Sequence, residues 1–188
     1  MNRNPNTASR GGRAKFLSGS WHRLLLIGLF LCTVLLAAPV TAATITVATD
    51  GSGDYTTIYA ALGASVSGDT IYLKSGTYVE TRACILNKDN VRLIGENPDT
   101  VIMIVKRPNA GLKITASGCL VENMKFTYPT NLMSISGNSN TIRNNIFIDP
   151  YELNIQSSGN NIDNNTILNP RNPAGGINVY SGSFNTIH

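Results

Sequence analysis

Cysteine and histidine are nearly missing from this chain of 188 residues, which holds three of the first, two of the second and a single tryptophan. Cys32 lies in an apolar leader, so only Cys84 and Cys119 remain for the rest, and the histidines are His22 and His188. No CxxC or HxxxH spacing occurs, and the chain therefore shows no metal-ligand pattern and no expected metal. Two cysteines in an exported chain can pair. Here they fall at unrelated places in a repeat, which favours two buried free thiols acting as small apolar residues. No cofactor is expected; calcium is chemically compatible with the surface carboxylates, but no motif supports it.

Charge is scarce as well, at 14% of residues, and the formal net of +4 misleads. Residues 1–43 contain Arg3, Arg10, Arg13, Lys15 and Arg23 and no acid, which leaves ten basic against eleven acidic side chains downstream, a net of −1. That balance leaves no basic footprint for nucleic acid. The leader itself reads as a signal peptide over 1–43. A basic segment ends at Arg23, an uncharged apolar run spans 24–38, and Val40-Thr-Ala-Ala43 offers small residues for cleavage. The rival reading is an N-terminal membrane anchor, for which the 17 residues from Leu24 to Val40 sit at the short limit. The expected location is secreted, cell-surface or periplasmic, with membrane contact only through this segment if it stays uncleaved.

What the chain does have is a repeat. Residues 119–129, 140–150 and 160–170 say nearly the same thing, and a fourth copy begins at Asn185-Thr-Ile187. Val121, Ile142 and Ile162 are 21 and 20 residues apart; Asn123, Asn144 and Asn164 keep that spacing, as do Pro129, Pro150 and Pro170. A period near 20 built from short apolar alternations and Asn/Gly turns marks a β-solenoid. Alternation predicts that Val121, Ile142, Ile162 and Ile187 stack inward, as do Met133, Leu153 and Ile177, each about 4.8 Å from the next. Asn123, Asn144 and Asn164 are expected to form an inward amide ladder, and the prolines to mark a shared corner. The sequon Asn164-Asn-Thr166 overlaps that ladder and is expected to be buried and unmodified. Arg171–Gly176 lengthens one repeat and reads as a loop standing out from the wall, either a tolerated insertion or part of a binding face.

Upstream, Thr44–Ala48 alternates as a first strand, and Asp50–Thr57 is a turn dense in Gly and Asp. Apolar residues at 58, 61, 62 and 66 predict a short amphipathic helix with Thr56 or Thr57 as its N-cap. Strands at 70–74 and 83–86 follow, separated by a turn containing Gly76.

Asp50-Gly-Ser-Gly-Asp-Tyr-Thr-Thr-Ile58, the helix, Gly68-Asp-Thr-Ile-Tyr-Leu73, Ser75-Gly-Thr-Tyr-Val-Glu80 and Val91-Arg-Leu-Ile-Gly95 resemble the opening of pectin methylesterases and other pectin-lyase-like β-helices. The resemblance covers residues 44–105 and implies that the helix caps the first coil. The Asn-Thr-Ile-x-x-Asn-x-Ile recurrence over 118–188 is similar to NosD-type and archaeal surface-protein β-helices. Together they imply an all-β fold: a right-handed parallel β-helix with coils of about 20 residues and a short N-terminal capping α-helix, spanning 44–188. The last unit stops at Thr186-Ile187-His188. The domain is therefore expected to be truncated at its C-terminal end, with further coils or a partner covering that end.

The resemblance also predicts Gln-Asp-Thr-Leu-like and Asp-Phe-Ile-Phe-Gly-like segments with two catalytic Asp residues, and neither occurs. Polygalacturonase-type Asn-Thr-Asp and Gly-His-Gly strings are also missing. No catalytic residue is assigned. The candidate binding residues are Arg143, Asp149, Glu152, Asp163 and Arg171, carboxylates and guanidinium groups that adjacent coils can bring together to bind calcium or act on a uronate, and the corner residue Tyr151. Their bland reading is solvated outer-wall charge. Tyr128, Tyr151 and Tyr180 flank the corners and offer faces for sugar rings or for ordinary packing. The function expected is a non-catalytic cell-surface or envelope module associated with polysaccharide or envelope glycan. The alternative is a polysaccharide esterase, lyase or hydrolase whose catalytic coils are missing or unrecognised.

Overall fold

The computed structural model describes residues 41–107, 110–127, 133–150, 152–170 and 176–188. Strand β1 (Thr44–Val47) leads to a helix, α1 (Ile58–Ala64). The first coil is β2 (Thr70–Leu73), β3 (Gly76–Glu80) and β4 (Cys84–Leu86). The second is β5 (Arg92–Gly95), β6 (Val101–Val105) and β7 (Leu112–Ile114), and the third is β8 (Leu120–Glu122), β9 (Lys125–Thr127) and β10 (Met133–Ile135). The fourth is β11 (Thr141–Arg143), β12 (Ile146–Ile148) and β13 (Leu153–Gln156). The fifth is β14 (Asn161–Asp163), β15 (Thr166–Leu168) and β16 (Ile177–Ser181), before β17 (Thr186–Ile187).

These strands form three parallel sheets, ordered β1-β2-β5-β8-β11-β14-β17, β3-β6-β9-β12-β15 and β4-β7-β10-β13-β16. The chain visits the sheets in turn, which makes a parallel β-helix. Alternation fixes the inside. Val121 registers with Ile142, Ile142 with Ile162, and Ile162 with Ile187, while Met133, Leu153 and Ile177 form a second stack, all as the repeat predicts. Phe126 and Phe147 stack with centroids 5.1 Å apart and planes within 9°. Cys84 and Cys119 are buried and unpaired. Gly76 does not lie in a turn between two strands; it opens β3, which the sequence reading passed over, and Tyr78 of that strand is buried. The Tyr78 hydroxyl donates to the carbonyls of Val47 and Lys74 at 2.9 and 2.6 Å, tying β1 to the first coil. Burial is the main reason its phenol is pushed up to about 12.

Helix α1 covers the open end of the first coil with Ile58, Ala61 and Leu62, whereas Val66 lies beyond it and is exposed. Thr57 is the N-cap, its Oγ1 accepting from the Ala60 amide at 3.2 Å. Two further orphan donors of that first turn, the amides of Ile58 and Tyr59, donate to Oε1 of buried Glu80.

The amide ladder exists, but one residue away from its expected place. Asn123, Asn144 and Asn164 have φ of 59°, 55° and 48°. This left-handed backbone turns the chain out of the seven-stranded sheet and leaves the Asn164 side chain exposed, where it donates to Asn144 Oδ1 at 2.8 Å. The inward residues are the next ones. Asn145 Oδ1 accepts from the Met124 amide at 3.0 Å, and Asn165 Oδ1 accepts from the Asn145 amide at 3.0 Å. A second ladder runs up the opposite corner: Asn140 accepts from Cys119 N, Asn160 from Asn140 N, and Asn185 from Asn160 N, at 2.8, 2.9 and 2.9 Å. It too follows a left-handed series, Asn90, Gly118, Ser139, Gly159 and Phe184. The third corner pairs left-handed Asp149 and Asn169 with Pro150 and Pro170; Pro129 lies outside the described residues, as do residues 171–175 of the expected loop over 171–176.

Phe184 is the one bulky residue in these left-handed positions, at φ 59° and 91% exposed. It gains nothing from burial and bears the steric cost of that backbone, on the order of 1 kcal/mol. Phe184→Asn is therefore expected to raise the unfolding free energy by about 0.5–1 kcal/mol in urea titration of the full chain; an unchanged or lowered midpoint contradicts that reading.

Candidate functional site

Parallel register brings outward side chains of successive coils into files. On the seven-stranded sheet, Tyr72 registers with Ile94, Ile94 with Glu122, Glu122 with Arg143, and Arg143 with Asp163. The neighbouring file runs through Arg92, Leu120, Thr141 and Asn161. The centre of this wall is a carboxylate, a guanidinium and a second carboxylate on three consecutive coils, with the outer two about 10 Å apart along the stack.

Arg143 bonds Glu122 through Nε to Oε2. Glu122 belongs to the outer wall, yet its side chain is only 10% exposed, against 44% for Arg143. Asp163 is half-buried and registers with Arg143 one coil below, without an ion pair between the two. Arg92 is exposed, Thr141 and Asn161 half-exposed. The wall therefore offers fixed donors and acceptors beside one half-exposed aromatic, Tyr72.

Of the expected binding residues, the fold brings Arg143 and Asp163 together and separates them from Asp149 and Glu152. Asp149 has φ 51° and marks the corner after β12, while Glu152 lies just before β13, on a different wall. Glu152 accepts from the Tyr180 hydroxyl at 3.2 Å; burial and then the Glu152 carboxylate raise that phenol above its ordinary value. Tyr128, Tyr151 and Arg171 lie outside the described residues. Among the described residues no cluster of His, Cys, Asp and Glu could hold a metal ion, and no helix is long and apolar enough to cross a membrane.

Glu122, Arg92 and Tyr72 escaped the sequence reading. The signal for Glu122 was present: it follows Val121 as Arg143 follows Ile142 and Asp163 follows Ile162. One aligned column of the repeat thus held all three charges.

No family model matches the chain, and no curated protein matches it. Two solved structures share its fold. A substituted pectin methylesterase in complex with a hexasaccharide aligns with a TM-score of 0.53 and 14% identity, over 68% of this chain and 50% of that one. Pectin methylesterase from carrot aligns with a TM-score of 0.50 and 16% identity, over 78% and 65%. The fold is the pectin-lyase-like right-handed parallel β-helix. The alignments span between half and two thirds of those structures' length, and at such identities the likeness is one of fold alone.

Proposed function

We propose that the chain is a non-catalytic module of the cell surface or envelope that binds polysaccharide along the outer face of its seven-stranded sheet. The observation that supports this is the Glu122–Arg143–Asp163 file. Glu122 is nearly buried and its oxygen is taken up by Arg143, so it is poorly placed to accept a substrate proton, whereas Arg143, Asp163, Arg92, Thr141 and Asn161 still face solvent. Sugar hydroxyls are matched by such alternating donors and acceptors, and Tyr72 can pack against a ring. Carbohydrate is also what one structural neighbour holds, a hexasaccharide. The basic and apolar leader supports export as its route to that location, and the Asn-Thr-Ile coils resemble those of surface proteins.

Titration of the full chain against pectin, polygalacturonate and alginate tests the reading. Asp163→Asn and the neutral pair Glu122→Gln with Arg143→Gln are expected to weaken binding about tenfold, the loss of one or two charge-assisted hydrogen bonds. Unchanged binding in both variants, or no binding to any glycan, removes the assignment to this wall.

A hydrolase reading has one observation in its favour. The two carboxylates project from strands two coils apart, a backbone spacing of about 10 Å, near the carboxyl separation of about 6.5–9.5 Å used by inverting glycosidases. Arg143 fills the space between them, where such an enzyme holds its water.

A further inference from the structure

A recess lies apart from the wall just described. Where α1 crosses the first coil, a cleft of about 350 Å³ opens between the helix and the outer face of β4. That is the room of roughly a dozen waters, at the small end of ligand cavities. Tyr59, Leu62 and Gly63 line it from the helix, and Ile85, Asn87 and Lys88 from the coil. Ile85 is the outward residue of β4, flanked by buried Cys84 and Leu86, and it remains 44% exposed. Tyr59 on the helix is 42% exposed. Two large apolar side chains thus line one recess without covering each other.

Gly63 helps keep the cleft open. A β-carbon there would meet nothing within 4 Å. Glycine in a helix interior costs about 0.5–1 kcal/mol relative to alanine, so the sequence gives up stability at the position where a side chain would occupy the recess. The surroundings are positively charged. The Arg82 guanidinium lies 5.2 Å from the centroid of the Tyr59 ring, Lys88 is exposed in the lining, and Lys113 registers with Ile85 one coil further on. Among the described residues none of these three cations has an ion pair. The nearby acids are engaged elsewhere: Glu80 is buried and caps α1, and Asp89 Oδ1 takes the Ser117 amide.

We propose that this cleft binds a small anionic molecule built on a flat ring, the ring between Tyr59 and Ile85 and the anion against Lys88 with Arg82 or Lys113. The site lies on a different wall from the glycan file, and it stands or falls separately from that reading. Phenyl phosphate supplies both features, inorganic phosphate only the charge, and benzyl alcohol only the ring. In amide NMR of the isotope-labelled full chain, phenyl phosphate is expected to shift residues 59–63 and 85–88 saturably, with each control at least about tenfold weaker. Gly63→Leu, which puts a side chain into the recess while improving helix propensity, is expected to abolish those shifts. Lys88→Glu, a change at an exposed side chain, is expected to weaken them about tenfold. No saturable shift at these amides, equal response to either control, or unaltered binding in Lys88→Glu overturns the proposal.

Discussion

Replacing Asn140 by alanine is expected to lower the unfolding free energy of the full chain by roughly 3 kcal/mol, read from the urea midpoint at unchanged slope. Asn140 is fully buried, and every polar atom of its side chain is used. Oδ1 accepts from the Cys119 amide at 2.8 Å, and Nδ2 donates to the carbonyls of Ala116 and Gly137 at 3.1 and 2.7 Å. Alanine strands the Cys119 N–H and the Ala116 carbonyl in the interior, and each unsatisfied group costs about 1–3 kcal/mol. Gly137 suffers less, because its carbonyl also accepts from Ser157 Oγ at 2.7 Å. A solenoid's stability is close to a sum over neighbouring coils. The loss should therefore concentrate at the contact of the third and fourth coils, with hydrogen-exchange protection falling first at Cys119 and Thr141. A loss under about 1 kcal/mol would mean that the ladder is ornamental and that apolar stacking alone sets the register.

Gly95→Ala is expected to cost about 2–3 kcal/mol, as an overpacked site does. Glycine is required here by a close approach. Gly95 ends β5 beneath the corner where Asn123 turns left-handed, and a β-carbon on Gly95 would lie 2.0 Å from the Asn123 carbonyl oxygen. Neither backbone can yield without moving a strand. Gly63→Ala is the internal control, since a β-carbon there has open space; it should be neutral or stabilising by about 0.5–1 kcal/mol. Equal midpoints for the two variants would contradict the corner geometry.

The architecture was legible because a solenoid writes its period into the chain. The stacks Val121–Ile142–Ile162 and Met133–Leu153–Ile177 followed from alternation and a fixed spacing, and the opening helix followed from the apolar spacing at 58, 61, 62 and 66, its capping place being what the family resemblance implied. The phase of the ladder did not follow. Asn144-Asn145 and Asn164-Asn165 offer two amides per corner, and a period cannot say which one turns inward. Backbone decides: the first of each pair takes positive φ, as asparagine tolerates, and the second is carried inside. The expectation that the sequon at Asn164 is buried fails for the same reason. The binding residues were legible only within a file. Arg143 and Asp163 share one because they share a repeat position. Asp149 and Glu152 were grouped with them on the expectation that adjacent coils meet there, but a coil sends its corners to different walls.

Glycan binding without turnover is the central claim for the seven-stranded wall, and product formation tests it most directly. The full chain, at concentrations that saturate binding, is incubated with methyl-esterified pectin and with polygalacturonate. Released methanol, unsaturated uronate and new reducing ends are then measured together. The Glu122–Arg143 pairing predicts no product above the protein-free control. Product that appears with the native chain and disappears on Glu122→Gln or Asp163→Asn would contradict it, and would make the two carboxylates the acid and base of an enzyme.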